Sequence, residues 1–343
     1  MLLRYLTPFA FLALLPLGGW LGGAWTFMAA AATPLCLASL DTVLGEDIAQ
    51  PHQTSAAARW FPRVYIVLQL AVTAWAAAWV SRPSTTLIEF IGLAISVGVT
   101  TGVFGFVAAH EMVHSRWRSE RSLGLLLLGS VFYMHFRIAH VHGHHLRAAT
   151  VEDPASARLG EGLYAFLLRS VGGQLREAWT FEADRRRRIG RTVFGSGNRM
   201  IIYLFLEASF LIAIAIASSR ALGFALIVAV IAVALLESFN YVAHYGLTRR
   251  VAPDGRAERL AAHHSWNSGR RMNNAALFNM GRHSDHHRVM TRSYEGLEAL
   301  SGGAVLPSGY AAALLTALVP PLWRRIMDPR AEAVMSRSYA GTP

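Results

Sequence analysis

Residues 222–239 read LGFALIVAVIAVALLESF, an eighteen-residue stretch with one acidic side chain near its end. A helix needs about 20 predominantly apolar residues to cross the hydrocarbon core of a membrane. The equally apolar stretch 199–218 precedes it, and the polar tip Ser218–Arg220 joins the two. We therefore predict a transmembrane helical hairpin here.

Two further hairpins are predicted nearer the N-terminus, and the chain as a whole is 53% apolar. Their helices are 5–22, 24–40, 64–81 and 87–108. The prediction is an all-α integral membrane protein of one domain, 1–343, with six transmembrane helices in three hairpins. The remaining residues, 109–198 and 240–343, are predicted to form a helical cap that carries a metal site.

The topology follows from the even number of crossings, which places the cap on the same side as both termini. Segment 122–136 is apolar but shorter than the roughly 17 residues that mark the lower limit for spanning, so we interpret it as re-entrant or interfacial. Only Arg82 and Arg220 fall in loops assigned to the far side. The positive-inside rule then places the cap and both termini in the cytoplasm, with the chain in the inner membrane. We interpret Arg185–Arg188 as resting on anionic lipid head groups, and no feature indicates a nucleic-acid partner.

The cap carries clustered histidines, many at helical spacings of three and four residues, which place side chains on one helix face. Neutral imidazole is the commonest protein ligand for iron, zinc and copper. Nine ligands are too many for one ion and suit two. The predicted ligands are His110, His114, His140, His144, His145, His244, His283, His286 and His287.

The other five histidines do not fall on these spacings, and we predict interfacial or supporting roles for them. They are His52, His135, His142, His263 and His264. A metal-bound imidazole usually donates its second N–H to an oxygen. The candidates near the ligands are Glu111, Asp153, Asp285, Asn240 and Tyr241. Each carboxylate has an alternative, which is to pair with an arginine such as Arg147 or Arg282.

Two other classes of protein are compatible with parts of the sequence. The stretch His110-Glu111-x-x-His114 matches the zinc-protease pattern, but that interpretation leaves the other clustered imidazoles without a purpose. A non-catalytic transporter or metal-binding membrane protein would be expected to carry charged residues inside the membrane. The predicted helices contain almost none, Glu89 and Glu207 being the main exceptions.

From about Leu40 to about Tyr294 the chain resembles membrane-bound alkane hydroxylases, within the larger family of histidine-rich membrane hydroxylases and desaturases. The resemblance rests on the motifs HEMVH from His110, HVHGHHLRAATVEDPASA from His140, NYVAHYGL from Asn240, HHSWNS from His263 and RHSDHH from Arg282. It implies six transmembrane helices and a di-iron centre held by histidines on the cytoplasmic face. It also implies terminal hydroxylation with O2 and electrons from a rubredoxin-like carrier and its reductase.

Two positions depart from the family pattern, since Ala139 and Ala243 stand where relatives usually have Glu. These departures leave the substrate and the metal geometry open. The His-x-x-His-His spacing of His283–His287 also satisfies a lipid desaturase. Alkanes, alkyl side chains of aromatic rings and fatty acyl chains are all compatible substrates.

The expected chemistry sets its own requirements. Attack on an unactivated C–H bond needs a metal that activates O2, which zinc cannot do because it has no redox chemistry. Cys36 is the single cysteine, and no nucleotide-binding glycine motif is placed between a strand and a helix. An external electron donor is therefore predicted.

Overall fold

The computed structural model describes residues 2–47 and 55–340. About 70% of it is helical, with almost no strand, which confirms the all-α prediction. The chain divides into two compact units. The first comprises Met1–Cys36, Ser55–Ile138 and Glu177–Leu236, and the second comprises Leu37–Thr54, Ala139–Arg176 and Glu237–Pro343. The organisation as one domain stays a prediction.

Six helices of the described residues are long and apolar enough to cross a membrane, as predicted. They are Leu2–Leu21, Gly23–Leu44, Trp60–Val80, Leu87–Val113, Arg199–Ala217 and Ser219–His244. The fourth and sixth continue beyond the predicted ends at 108 and 239. An apolar run reports the part of a helix suited to lipid, whereas backbone hydrogen bonding carries the helix further.

Two acidic residues in these helices have specific hydrogen-bond partners. Glu89 forms a reciprocal cap with Thr86 at the start of the fourth helix and accepts from the Gly23 N–H at 3.0 Å. Glu207 of the fifth helix accepts from the Met134 N–H at 2.7 Å. Each carboxylate thus satisfies a backbone donor in the first unit.

The fourth membrane helix, Leu87–Val113, contains a π-helical turn at Thr101–Gly105. Gly102 allows this turn to approach the sixth helix. A Cβ added at this position would lie 2.9 Å from the Ala232 Cα, closer than side-chain atoms normally come to a backbone. The turn is therefore fixed against its neighbour by backbone packing.

Two buried polar side chains of the third membrane helix, Tyr65 and Gln69, form hydrogen bonds with the beginning of the same π turn. The Tyr65 hydroxyl lies 3.0 Å from Gln69 Oε1 and 3.4 Å from the Thr100 carbonyl, to both of which it can donate. The Gln69 amide donates to the Thr101 hydroxyl at 2.9 Å. All four residues are buried, so these bonds are formed away from water.

The segment predicted at 122–136 contains the end of a 13-residue helix, Arg118–Ser130. This helix belongs to the first unit and is too short to be among the six. Its placement at the membrane interface stays a prediction.

The second unit is built from short elements together with the ends of two membrane helices. The elements that lie in it, wholly or in part, are Phe136–Ala139, the π-helix His140–His144, His145–Arg147, Leu163–Arg188, Ala262–His264, Arg271–Ala276, His283–Arg288, Tyr294–Gly296, Tyr310–Ala317 and Pro320–Ala340. A two-residue parallel ladder joins Trp266–Asn267 to Ala304–Val305. The aromatic side chains that fill its core include Tyr241, Tyr245, Trp266, Tyr310 and Trp323.

Candidate metal centre

The helix His283–Arg288 divides its three histidines between two clusters. His283 and His287 are four residues apart on one face, and their Nε2 atoms lie 3.1 Å apart. His286 is directed to the other cluster, and its Nε2 lies 3.1 Å from the Nε2 of His145. Helical spacing places both His286 and His287 on the face of His283, and the structure groups His283 with His287.

The π-helix His140–His144 divides the second motif in the same way. A π turn places residues five apart on one face. The Nε2 atoms of His140 and His145 accordingly lie 3.0 Å apart. The ring of His144 belongs to the other cluster and lies edge-on to His244, with centroids 4.8 Å apart.

The second unit thus brings together seven of the nine predicted ligands in two groups, each with its ligand atoms within 4.8 Å of one another. The members of the larger group are His144, His244, His283 and His287. The smaller group within this unit contains His140, His145 and His286. None of the seven exposes more than 6% of its surface.

The remaining predicted ligands, His110 and His114, lie in the first unit. His110 is in the last turn of the fourth membrane helix, and His114 caps its C-terminus. Their rings lie edge to face with centroids 4.8 Å apart. The four-residue spacing therefore produces a close pair of imidazoles.

His144 is held in the orientation that a ligand requires. Its Nδ1–H donates to Asp153 Oδ2 at 2.7 Å, while its Nε2 is buried with no hydrogen-bond partner among the described residues. Asp153 also accepts from the Ser156 hydroxyl at 2.7 Å and from the Ala155 N–H at 3.0 Å. This pairing fixes the tautomer in which Nε2 offers a lone pair to a metal.

The charge states of the site favour a cation. Burial by itself would raise the pKa of Asp153, but the neighbouring His144 and the hydrogen bonds from His144 and Ser156 outweigh it and hold the pKa below 3.8. Burial also holds the pKa of His287 well below 6.5, and the surrounding imidazoles add to the effect. The site therefore contains a neutral imidazole, that of His287, and a carboxylate anion, that of Asp153.

The spacing of the nitrogens tests whether a metal fits. Neighbouring Nε2 atoms lie 3.0–3.1 Å apart, and an imidazole nitrogen that carries a lone pair cannot donate to another. With a metal–nitrogen length of about 2.1 Å, ligands at right angles place their nitrogens about 3.0 Å apart, and tetrahedral ligands about 3.4 Å apart. Nitrogens at the observed spacing are close enough to be ligands of one metal ion in each cluster.

The second predicted carboxylate, Asp285, has partners other than imidazole. One oxygen accepts from Arg288 at 2.9 Å, and the other accepts from Arg292 at 2.7 Å and from the Glu298 N–H at 2.8 Å. Asp285 thus follows the arginine alternative, although with different arginines from those considered. It secures the ligand helix to the chain that follows.

The other predicted supporting residues either hydrogen-bond to groups other than an imidazole or lie in the first unit. The Asn240 amide donates to Glu237 at 3.3 Å, and the Tyr241 hydroxyl donates to the Glu161 carbonyl at 2.6 Å. Glu111 is half-buried in the first unit. Their support of the ligands stays a prediction.

Of the histidines not predicted as ligands, His52 lies outside the described residues. His135 is buried beside the Tyr133 ring, and His142 is exposed within the π turn.

A backbone group that sequence reasoning missed also contacts the larger cluster. The carbonyl of His264 accepts from His244 Nδ1 at 3.4 Å. Ser156, which holds Asp153, was missed as well. A backbone oxygen carries no signal in a sequence, and the only signal for Ser156 is its place three residues after a predicted carboxylate.

Comparison with known proteins identifies the family. The model of the fatty acid desaturase family matches residues 84–313. Alkane 1-monooxygenase 1 of Pseudomonas aeruginosa is 38% identical over 312 residues, which cover 88% of this chain and 81% of that protein. The chain belongs to the alkane hydroxylase family.

Other relatives of this alkane hydroxylase extend over similar lengths. The alkane 1-monooxygenase of Acinetobacter baylyi is 38% identical over 85% of this chain and 73% of its own length. The xylene/toluene monooxygenase hydroxylase component of Pseudomonas putida is 28% identical over 90% of this chain and 82% of its own length. The region that the family model matches contains all nine predicted ligands and the last three membrane helices.

Proposed function

We propose that the chain hydroxylates an unactivated C–H bond, the terminal methyl of an alkane, at a centre of two histidine-ligated non-haem irons with O2 as co-substrate. The observation that carries the proposal is His144, whose buried Nε2 has no hydrogen-bond partner in the part of the chain that the structure describes, while Asp153 holds its Nδ1–H. The relatives named alkane 1-monooxygenases support the substrate class.

The nine histidines supply enough ligands for two irons. Seven lie in the second unit in groups of four and three. The proposal assigns His110 and His114 as the remaining two ligands. Their support is the four-residue spacing, their close ring contact and their place in the first of the family motifs.

Iron suits the proposed reaction, whereas zinc does not, because zinc has no redox chemistry. Bound iron supplies the activation of O2 that no side chain can perform. The residues of the chain orient the imidazoles, as Asp153 orients His144, and their packing excludes water.

The bilayer supplies the substrate. An alkane partitions into lipid with roughly 0.8 kcal/mol per CH2, so it is concentrated around the six apolar helices. A passage between these helices is proposed to deliver the methyl end to the irons.

A second candidate substrate is the alkyl side chain of an aromatic ring. The xylene/toluene monooxygenase relative supports it, at lower identity than the alkane 1-monooxygenases. The match to the fatty acid desaturase family supports a third candidate reaction on the same fold, which is desaturation of an acyl chain. The three differ in product, namely a primary alcohol, a benzylic alcohol or an alkene.

The electron donor is proposed to be a separate rubredoxin-like carrier with its reductase. The single cysteine cannot hold a rubredoxin-type iron. The net charge of +11 would attract an acidic carrier, an effect that salt screens.

The proposed location is the inner membrane, with both termini and the histidine clusters in the cytoplasm. Arg82 and Arg220 are the only basic residues in the loops assigned to the periplasm. This asymmetry supports the orientation through the positive-inside rule.

Product analysis tests the function. Cells that co-express the chain with a rubredoxin and its reductase are fed a panel of alkanes, alkylbenzenes and fatty acids, and the products are identified by mass spectrometry. The expected product is the 1-alkanol, formed by the wild type and by His142→Ala and lost in His287→Ala. Alkene alone would indicate a desaturase, and the absence of any product from protein loaded with two irons would contradict the proposal.

Metal analysis of the purified protein is the companion measurement. We expect about two irons per chain, in keeping with nine ligands shared at four to six per ion. A single zinc that is unaffected by His283→Ala or His286→Ala would instead support the zinc-protease interpretation.

A further inference from the structure

The loop that carries the motif His263–Ser268 is fastened to the helix that holds three of the proposed ligands. The Ser284 hydroxyl of that helix donates to the Ala262 carbonyl at 2.8 Å. The Ser284 N–H donates to Asn267 Oδ1 at 2.9 Å. The Asn267 amide also donates to the Ser284 hydroxyl at 2.7 Å, so several direct bonds join loop and ligand helix, although the proposed function gives the loop no role.

The side chain of His264 has a defined tautomer. Its Nδ1 accepts from the Ala261 N–H at 3.0 Å, and its Nε2 lies 3.2 Å from Glu258 Oε1. Glu258 is itself held by the Arg250 N–H at 2.8 Å. Because Nδ1 is an acceptor, the neutral ring carries its proton on Nε2. Nε2 makes no hydrogen bond among the described residues, so its approach to Glu258 is an electrostatic contact.

This tautomer argues against a third metal site. The candidate ligand atoms of Glu258, His263 and His264 lie within 4.8 Å of one another, which is the spacing of the two proposed iron groups as well. A ligand nitrogen needs a free lone pair. In His264 the Nδ1 lone pair accepts the hydrogen bond from the Ala261 N–H, and Nε2 carries the proton, so neither nitrogen has a free lone pair.

The backbone of the same residue reaches the larger histidine cluster. The His264 carbonyl accepts from His244 Nδ1 at 3.4 Å, and His244 Nε2 lies 3.1 Å from His283 Nε2. This is the arrangement in which an outer oxygen fixes the tautomer and direction of a ligand. His144 has the Asp153 carboxylate in that role, whereas His244 has a backbone carbonyl.

We propose that His264 is a positioning residue for His244. Its ring is held by the hydrogen bond from the Ala261 N–H and lies against Glu258, and this arrangement fixes the peptide whose carbonyl accepts from His244. The inference rests on the proposed function, since it takes His244 to be an iron ligand. It assigns the Glu258–His264 pair to the support of a ligand and not to a metal site of its own.

The experiment compares His264→Ala, His264→Asn and His264→Gln with the neighbouring control His263→Ala. Asn retains an acceptor near the position of Nδ1, Gln retains a donor near Nε2, and Ala retains neither. Each full-length variant is purified from membranes. Total iron and zinc per chain, iron retention against a chelator and the Mössbauer spectrum are measured.

We expect His264→Ala to weaken retention of one of the two irons by roughly 10–100-fold, as losses of outer partners usually do, and to alter one Mössbauer component. His264→Asn should retain iron better than His264→Gln, because the bond to Ala261 shapes the turn. His263→Ala should match the wild type. If His264→Ala does not fold, the order of Asn and Gln decides the outcome.

The proposal is overturned if His264→Ala keeps both irons with wild-type retention and spectrum, or if Gln matches the wild type while Asn does not. It is also overturned if the wild type binds a third metal that both Glu258→Gln and His263→Ala remove. Failure of the proposed function is separate, because it would appear as a wild type without two irons.

Discussion

A single carboxylate, Asp153, determines how His144 is presented. It is fully buried and accepts from His144, from the Ser156 hydroxyl and from the Ala155 N–H. Three donors allow a carboxylate to stay charged away from water. The anion then stabilises positive charge that a bound metal places on the imidazole.

Asp153→Ala should weaken iron binding by roughly 10–100-fold, because His144 loses the acceptor that fixes its tautomer. Asp153→Asn should lie between Ala and the wild type, since it retains an oxygen that accepts from Nδ1–H but not the charge. Chelator competition on purified protein measures both. Asp184→Asn, on the exposed Arg187 pair, is the matched control. Equal affinity of Asp153→Ala and the wild type would show that the contact is not needed.

His135 makes stability depend on pH. Burial lowers its pKa from 6.5 to about 4, so between these values the unfolded chain binds a proton that the folded chain does not. Stability is therefore lost as the pH falls below 6.5. At about 1.4 kcal/mol per pKa unit, acidification to pH 5.0 costs about 2 kcal/mol from this residue.

His135→Gln should therefore show a smaller decrease in Tm between pH 7.5 and pH 5.0 than the wild type does. Thermal unfolding in detergent, followed by circular dichroism, measures the difference. The exposed His142→Gln serves as the control and should keep the wild-type decrease. If His135→Gln shows the full decrease, the acid sensitivity comes from other groups.

From the sequence, Asp153 and Asp285 received the same prediction, support of a histidine ligand or pairing with an arginine, since both lie near histidines and near arginines. The structure separates them because Asp285 is on a helix with Arg288 three residues later, a spacing at which side chains meet. Asp153 lies in a loop that folds back on His144. Nothing in local spacing reports that return of the chain.

At the scale of elements, two π-helical turns set the direction of histidines. One is His140–His144, and the other, Thr101–Gly105, precedes His110 in the fourth membrane helix. A π turn holds one more residue than an α turn, so every later side chain is rotated about the axis. Counting three and four residues along a sequence cannot detect this rotation. It explains why the motifs were found and their division between clusters was not.

In the π turn His140–His144, the variants of a predicted ligand and of a nearby exposed histidine can be compared directly. His140→Ala should lower the iron content and abolish the alcohol product, because its Nε2 converges with that of His145. His142→Ala, two residues away in the same turn, should leave both unchanged, because its side chain is exposed. Iron analysis and product analysis of the two variants measure the contrast. Loss of iron in His142→Ala would show that the division of this motif is wrong.

The π turn Thr101–Gly105 depends on hydrogen bonds from Gln69 and Tyr65 of the third membrane helix. Gln69→Leu removes the donor to the Thr101 hydroxyl and the acceptor beside Tyr65, so the start of the turn loses its partners. We expect the rotation of the following turn to loosen and the iron content to decrease, while the protein stays in the membrane. Thr73→Val, on the rim of the same group, is the milder control. Unchanged iron in Gln69→Leu would mean that packing alone, such as that at Gly102, holds the turn.

At the scale of the whole molecule, six membrane helices were predicted from hydropathy because backbone groups in lipid must bond within the helix. The orientation of these helices is testable by labelling. After Cys36 is replaced by Ser, a cysteine at position 83 should react with an impermeant reagent from the periplasm. A cysteine at position 150 should react only after the cells are opened. Labelling of position 150 from outside would show that 122–136 crosses the membrane.

The sixth membrane helix has 26 residues, so it is about 39 Å long against a hydrocarbon layer of about 30 Å. Its apolar run ends at Leu236, so the surplus of about two turns is on the side of His244. Dissolved hydrocarbon swells a lipid layer, and growth temperature changes its thickness. In the proposed orientation, the surplus turns form a spacer that keeps His244 out of lipid when the thickness changes by several ångströms. The proposed ligand at the end of this helix would then keep its place while the uptake of oil alters the membrane of the cell.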